Sequence, residues 1–434
     1  MLDSEAASPY VRPIRDLVSH TETGSQASST SGRSVIPRDE FARRRETLRG
    51  DAEAAGLDGL IAWSMGGSTL DRFASVFYLT NHYQPCCVLP DSPPLWTGFG
   101  HAALVLPVDG AATLVVDQPD WRTELVECDE VVVRRDVYSG VVEAARRSGL
   151  RGGRIGLTDE ERMTVAAYRE LERELEHTAF ERADELLMRR RMIKSPAELE
   201  CMRHASAVGV EIMGAMFAEV AEGRTDADVV AAGFATAAQL GAQPYDFAMA
   251  SGPEDGHLWW ARLPSWNWQR PYEPGDIVHP DIYGVVDGYF YDFVRSIVVG
   301  GEPTPAQLEI LEAGIGCIHA ACAAARAGNA AREVYEAGRR YLREHGLDHA
   351  DEPGSEVVDL STEALESIGH GLGLGWEEPW LTPVSETVLE PGMVLAVEQH
   401  VSRRGVGTMR YEETIIVTDG EPEIMTAGSP ARWW

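Results

Sequence analysis

A chain of 434 residues is long enough for two or three domains, and its 44% hydrophobic content is typical of a folded globular protein. The formal net charge of -31 argues against a nucleic acid or an anionic membrane as partner, because both require a basic surface. The cysteines show no CxxC spacing, no apolar run is long enough for a membrane helix and no signal-peptide pattern opens the chain. A cytoplasmic protein with reduced thiols is therefore predicted.

The first part of the chain divides into an arm and an α/β domain. Residues 1–36 are rich in Ser, Thr and Gly, which predicts a disordered N-terminal arm. The segment DEFARRRETLRGDAEAAGLDGLIAW then predicts an amphipathic helix that leads into a strand. Strand-like runs continue to alternate with helical ones up to about residue 180. This alternation predicts a compact α/β domain over residues 37–185.

A second domain is predicted over residues 186–434. Ser195, Pro196 and Glu198 have the spacing of an N-cap, a first helical position and a capping box. Further on, long helices predicted at 227–240, 305–327 and 330–345 frame hairpins that are rich in glycine and aromatic residues.

Two pairs of acidic residues occupy positions at which they should repel each other. Asp281 and Asp292 flank a Val-Asp-Gly hairpin signal, so that folding the segment places them opposite or diagonal to one another. Glu398 and Glu412 are symmetric about Gly405 in a second turn-like run. Because like charges that face each other across a sheet are destabilising, both pairs require a cation.

A histidine between the hairpins adds a nitrogen donor. His370 lies in SIGHGLGLG, between the two acidic segments. Four carboxylates and one imidazole suit a site for two divalent metals.

The order Asp, Asp, His, Glu, Glu resembles the metal site of the pita-bread-fold family, which includes Xaa-Pro aminopeptidases, prolidases and creatinases. The resemblance covers residues 37–424 and is close from Arg191 onward. It is carried by five motifs: Asp281 with Gly288-Tyr289, Asp292 and Arg295; Gly369-His370-Gly371; Glu390-Pro391-Gly392-Met393 before Glu398; Arg410-Tyr411-Glu412-Glu413-Thr414; and the connector RMIKSPAELECMRHA.

The resemblance implies an α/β (α+β) fold, with a creatinase-like N-terminal α/β domain and a C-terminal pita-bread catalytic domain. It implies two divalent ions of Mn, Co, Fe or Zn, held by Asp281, Asp292, His370, Glu398 and Glu412. Glu398 would also act as the catalytic acid and base, and Arg410 would orient Glu412.

One position departs from the family pattern. Related peptidases carry a second histidine seven residues after the Gly-His-Gly histidine, where this chain has Glu377. A glutamate donates a hydrogen bond only when protonated, and beside two cations it should stay ionised. Either the donor role is lost, or Glu377 serves another purpose, such as binding a cationic substrate or acting as a base; a neutral surface substitution is the remaining alternative. A glutamate followed by proline here also resembles the dimethylsulfoniopropionate lyases of this fold.

Other candidates surround this set. His257 loosely matches a further family histidine, and the predicted substrate-binding residues are Trp259, Trp260, Trp376 and Arg410. Trp266, Trp268 and Trp380 extend the aromatic set, and the parity of His279 with Asp281 places it near the metals.

The leading hypothesis is a metal-dependent hydrolase of a small amide or peptide bond, similar to Xaa-Pro dipeptidases and aminopeptidases. The alternative is a lyase or C–N hydrolase of the same fold that acts on a small metabolite, cationic or neutral; a scaffold without activity is a third hypothesis. The resemblance also implies a homodimer, in which the segment Phe77–Tyr83 would cover the partner's site.

Overall fold

The structure is a computed structural model that describes residues 36–67, 72–84, 87–119, 121–253, 263–347, 357–358 and 367–434. The predicted N-terminal arm, apart from Ile36, lies outside these residues. Within the described part of the chain, no helix combines the length and the apolar character that a membrane span requires.

The N-terminal elements form a sheet with helices on both faces. The helices are α1 (Arg38–Ala54), α2 (Ala74–Thr80), α3 (Val137–Arg147) and α4 (Val165–Glu174), with a short 3₁₀ helix at Glu160–Arg162. The strands are β1 (Gly59–Met65), β2 (His101–Pro107), β3 (Thr113–Val116), β4 (Glu130–Val133), β5 (Arg154–Thr158) and β6 (Ala179–Arg182). Their order in the sheet is β4-β3-β2-β1-β5-β6.

Strand β1 shows why this sheet is covered on both sides. Leu60 and Ala62 pack into the core that contains α1 and α2, whereas Ile61 and Trp63 pack into the core that contains α3 and α4. Because successive side chains of a strand point to opposite faces, a continuous apolar strand requires burial on both faces. The predicted α/β alternation is confirmed.

A connector joins this sheet to the rest of the chain. Helix α5 (Asp184–Met192) is followed by α6 (Pro196–Ala218), which begins with the predicted capping box. The Ser195 hydroxyl accepts from the backbone N–H of Glu198 at 3.2 Å, and the Glu198 carboxylate accepts from the N–H of Ser195 at 3.0 Å.

The C-terminal elements form two further sheets. The helices are α7 (Asp226–Leu240), α8 (Pro305–Ala324) and α9 (Ala331–Glu344). The strands are β7 (Gln243–Ser251), β8 (Ile277–Val286), β9 (Tyr289–Val294), β10 (Ile297–Val298), β11 (Val357–Val358), β12 (Gly369–Leu372), β13 (Trp376–Trp380), β14 (Val394–Arg403), β15 (Gly407–Ile416) and β16 (Glu423–Ile424). One sheet has the order β10-β8-β7, with β9 also paired to β8; the other has the order β13-β12-β14-β15-β16, with β11 paired to β14.

Each acidic hairpin is covered by a pair of helices. Helices α6 and α7 pack on β7, β8 and β9, and helices α8 and α9 pack on the sheet that contains β14 and β15. Polar contacts join the two sheets, since the Thr414 hydroxyl donates to the backbone carbonyl of Asp292 at 2.6 Å and the Ser296 hydroxyl donates to the carbonyl of Arg410 at 2.9 Å. The two hairpins are thereby held side by side.

Candidate metal centre

The first acidic pair is diagonal across the β8–β9 hairpin. Asp281 pairs with Val294, and Tyr283 pairs with Asp292. The turn between the strands has φ 52° at Asp287 and φ 92° at Gly288, as a tight hairpin turn requires. The predicted geometry is confirmed.

The second acidic pair is directly opposed. Glu398 on β14 pairs with Glu412 on β15, and the turn between these strands contains Gly405 with φ 73°. A direct like-charge pair is the arrangement that destabilises a sheet unless a cation lies between the two groups.

Three of the four acids converge on one point. Carboxylate oxygens of Asp281, Asp292 and Glu412 all lie within 4.8 Å of one another, and the three residues are buried. Burial, followed by mutual repulsion, raises the pKa of Asp292 and Glu412 well above the ordinary carboxyl range. Glu412 Oε1 is buried and has no hydrogen-bond partner within the described residues. A buried cluster of three carboxyl groups of this kind fits a cation.

His370 is oriented as a ligand. It lies on β12, which pairs with β14, and its Nδ1 is 3.0 Å from the carbonyl of Gly371. A carbonyl only accepts, so Nδ1 carries the proton and Nε2 keeps its lone pair. Nε2 lies 3.8 Å from Asp292 Oδ2, and burial lowers the pKa of His370, which keeps the ring neutral. This tautomer is the one that a metal at Nε2 requires.

Arg410 contacts a different pair of ligands from the one expected. Its guanidinium donates to Asp281 Oδ2 at 2.7 Å and to Glu398 Oε2 at 2.9 Å. The sequence predicted that it orients Glu412, its neighbour on β15. Residues two apart on a strand project side by side from the same face, and from that face the long Arg410 side chain also reaches β14 and β8.

Glu398 is the most accessible of the four acids, and sequence reasoning missed its neighbour His400. The side chain of Glu398 is 26% exposed, against 5% for Asp292. His400 Nε2 lies 3.8 Å from Glu398 Oε2. Although burial alone would raise the pKa of Glu398, His400 and Arg410 lower it below the ordinary carboxyl range. The position of His400 two residues after Glu398 on one strand was the signal that could have found it.

Glu377 does not face the acid cluster. Its carboxylate accepts from Arg191 at 2.6 Å and from Lys194 at 3.1 Å, and the three side chains are between 1% and 4% exposed. Burial alone would raise the pKa of Glu377, but these two cations lower it below the ordinary range. These contacts do not support the expectation that Glu377 acts beside the metals, because alternation along β13 turns it away from the face that Trp376 presents to Asp292.

Aromatic side chains surround the exposed side of the centre. The rings of Trp376 and Trp380 lie 5.5 Å and 5.3 Å from that of His370, and Tyr283 lies 5.8 Å from Trp376. Both tryptophans are partly exposed. The structure therefore brings Trp376 and Trp380 together beside His370.

The other predicted residues divide into three groups. His257, Trp259 and Trp260 lie outside the described residues. Trp266 packs near Phe234 and Trp268 is 57% exposed, so neither contributes to the wall around His370. His279 is buried on β8 two residues before Asp281.

The donor set fits divalent metals. It consists of carboxylate oxygens and one imidazole nitrogen, and it includes a Glu412 oxygen that has no hydrogen-bond partner within the described residues. Oxygen-rich ligation with imidazole suits Mn, Fe, Co or Zn.

Family models match most of the chain. The model for metallopeptidase family M24 matches residues 200–419, and the model for the creatinase/prolidase N-terminal domain matches residues 44–193. The chain belongs to metallopeptidase family M24. The predicted family, and the predicted combination of a creatinase-like domain with a pita-bread domain, are confirmed.

Individual M24 relatives agree in sequence and fold. The chain is similar to the Xaa-Pro dipeptidase of Pyrococcus furiosus, with 28% identity over 57% of this chain and 66% of that protein. It is also similar to a Bacillus creatinase, with 23% identity over 90% of this chain and 92% of that protein. Among solved structures, the prolidase of Pyrococcus horikoshii matches with a TM-score of 0.72 and 22% identity. The match covers 88% of this chain and 98% of the prolidase chain.

Proposed function

We propose that this M24 protein is a dinuclear metal-dependent hydrolase that cleaves Xaa-Pro dipeptides or similar short peptides. The observation that carries the proposal is the buried convergence of Asp281, Asp292 and Glu412, with His370 alongside. The names of the relatives support it, because several are called Xaa-Pro dipeptidases.

The roles of the residues follow from their exposure and charge. Asp281, Asp292, His370, Glu398 and Glu412 would hold two divalent ions. Such ions lower the pKa of water and polarise a carbonyl when they are bound. Glu398 is ionised and partly exposed, so we assign it the transfer of a proton from the attacking water to the leaving amine. Arg410 holds Asp281 and Glu398 in place, and His400 lies beside Glu398.

We assign Trp376 and Trp380 to the substrate site. Partly exposed indole rings beside a buried polar centre offer an apolar wall for a proline ring or an apolar side chain. His257, Trp259, Trp260 and a direct substrate contact for Arg410 stay predictions from the sequence.

The lyase alternative is not favoured. It depended on Glu377 acting as a base or as a site for a cationic substrate, and that carboxylate is already paired with Arg191 and Lys194. A hydrolase incorporates ¹⁸O from labelled water into its product, whereas an elimination yields an unsaturated product without the label, so mass spectrometry separates the two reactions.

Release of proline from a panel of Xaa-Pro dipeptides tests the function. We expect turnover after loading with Mn²⁺ or Co²⁺, loss of turnover in a chelator, and loss of both metal and turnover in Asp292→Ala. The control is Glu309→Ala, since Glu309 lies on α8 and accepts from Arg403 at 2.8 Å, outside the proposed ligand set. No turnover on any peptide by metal-loaded protein would reject the proposal, and full metal content in Asp292→Ala would reject the ligand assignment.

We also propose a homodimer and a cytoplasmic location, and we place the domain boundary at residues 185–186. In the homodimer, the segment Phe77–Tyr83 was expected to cover the partner's site. Much of it is buried within its own chain; for example, the Tyr78 hydroxyl donates to the carbonyl of Arg190 at 3.2 Å. Those buried side chains do not support the covering role, and light scattering tests the dimer itself.

A further inference from the structure

A buried ion cluster joins the connector to strand β13. Glu377 Oε1 accepts from Arg191 Nη2 at 2.6 Å and from Nε at 3.1 Å, and Oε2 accepts from Lys194 Nζ at 3.1 Å. The backbone N–H of Leu374 adds a bond to Oε1 at 3.2 Å. Arg191 also faces a second carboxyl group, Asp159, and lies 3.3 Å from the Ser75 hydroxyl. The charges in this cluster are therefore compensated, which a buried ion group requires.

The opposite face of β13 contacts the metal centre. The indole N–H of Trp376 donates to Asp292 Oδ2 at 2.8 Å. Trp376 and Glu377 are consecutive residues on one strand, so one face of β13 is fixed by the connector while the other presents a donor to a ligand.

The hydrogen bond from Trp376 affects how the Asp292 carboxylate is oriented among the neighbouring acids. Asp292 lies within reach of Asp281 and Glu412, whose repulsion favours rotation of its carboxylate away from them. A hydrogen bond to Oδ2 opposes that rotation and orients the carboxylate for a metal. Hydrogen-bond partners of this kind change metal affinity by about 10–100-fold.

We propose that Glu377 is a positioning residue: its ion cluster with Arg191 and Lys194 fixes β13 so that Trp376 orients Asp292 for metal binding. The proposal rests on the proposed metal site. Related peptidases carry a histidine at this position, whereas the glutamate of this chain has a different role. A glutamate can pair with two cations at once, whereas a neutral glutamine or histidine cannot.

Calorimetric titration of metal-stripped protein with Mn²⁺ alone tests the proposal. We expect Glu377→Gln and Trp376→Phe each to weaken Mn²⁺ binding by about 10–100-fold. Because both substitutions act through one hydrogen bond, the double variant should bind Mn²⁺ as tightly as the single variant that has the lower affinity. Glu377→Asp, which keeps the charge, should recover part of the affinity.

Asp51→Asn is the matched control. Asp51 accepts from Arg190 at 2.6 Å, so the variant breaks an ion pair of the same connector outside the cluster around Glu377. We expect its Mn²⁺ affinity to equal that of the wild type. If Glu377→Gln fails to fold, Lys194→Gln, which removes one cation and leaves Arg191 in place, is expected to weaken binding in the same direction.

Each outcome of these titrations either supports or overturns the positioning role of Glu377. Wild-type affinity in folded Glu377→Gln, or in Lys194→Gln where the first variant does not fold, would overturn the positioning role even if the melting temperature falls. Additive losses in the double variant would also overturn it. A wild type that binds Mn²⁺ but cleaves no Xaa-Pro peptide would reject only the proposed function, whereas a wild type that binds no divalent ion would overturn the metal site and this proposal together.

Discussion

Two histidines show how residue-level contacts assign roles within one centre. His370 has its proton fixed on Nδ1 by the carbonyl of Gly371, which leaves the Nε2 lone pair available to a metal. His400 instead lies 3.8 Å from Glu398, the most exposed of the four acids. The motif Gly-His-Gly predicted the first histidine, whereas only the strand parity of Glu398 and His400 pointed to the second.

His101 gives a prediction about acid stability. The indole N–H of Trp63 donates to His101 Nδ1 at 2.9 Å, and burial lowers the pKa of His101 to about 4. A histidine whose pKa is lower in the folded state binds fewer protons than in the unfolded chain, where the pKa is about 6.5. Its contribution to stability is therefore complete above pH 6.5 and is lost as the pH falls towards 4.

Urea unfolding of His101→Gln between pH 7 and pH 4.5 measures this contribution. We expect the variant to lose less stability on acidification than the wild type, by at most about 3 kcal/mol. His177→Asn is the control, since His177 lies at an exposed position whose φ of 66° asparagine tolerates. On acidification this variant should lose as much stability as the wild type. An equal loss of stability on acidification in His101→Gln and in the wild type would contradict the contribution assigned to His101.

At the level of elements, the β14–β15 pair combines repulsion and compensation at adjacent positions. Glu412 directly opposes Glu398, and its Oε1 has no partner within the described residues. The next residue, Glu413, points to the opposite face and pairs with the buried Arg295 at 3.0 Å. The two neighbours have the same chemistry but opposite effects on the stability of the metal-free protein.

Glu412→Gln and Glu413→Gln form a matched pair of variants. In chelator, we expect Glu412→Gln to raise the free energy of unfolding by roughly 1 kcal/mol, because it removes a buried carboxyl group whose ionised form is opposed by burial and by the acidic residues around it. With Mn²⁺, Glu412→Gln should be less stable than the wild type, since the amide is a poor ligand. Glu413→Gln should destabilise the protein in both conditions by leaving Arg295 buried without its counter-ion. Thermal unfolding with and without Mn²⁺ measures both effects, and a Glu412→Gln variant less stable than the wild type in chelator would contradict this argument.

At the level of the whole molecule, the proposed ligands come from separate helix-covered hairpins. Asp281 and Asp292 belong to the β8–β9 hairpin beneath α6 and α7, whereas Glu398 and Glu412 belong to β14 and β15 beneath α8 and α9. A bound metal therefore joins segments more than one hundred residues apart along the chain, and its binding energy adds to folding stability.

Metal removal is expected to lower the melting temperature reversibly. A ligand that binds only the folded state stabilises it by about 2.7 kcal/mol at one hundred times its Kd, so the melting temperature should rise with Mn²⁺ concentration. Differential scanning calorimetry measures the rise. Asp292→Ala should show little of it, and an equal rise in that variant would place the stabilising metal elsewhere.

The fold was largely predictable because its signals are local. The two-sided apolar pattern of β1, the capping box at Ser195 and the turn at Asp287-Gly288 each follow from neighbouring residues and agree with the structure. Cross-strand register follows from symmetry about the turns, which is why the pairing of Glu398 with Glu412 was also predictable.

Long-range partners were decided only by the tertiary structure. The family, the two-part fold and the ordered set of five candidate ligands could be predicted from the sequence, because short motifs and strand parity specify them. It could not determine that Glu377 pairs with Arg191 and Lys194, or that Arg410 contacts Asp281 and Glu398. Those contacts depend on how separate elements pack, and a charged side chain takes the partners that packing places within reach.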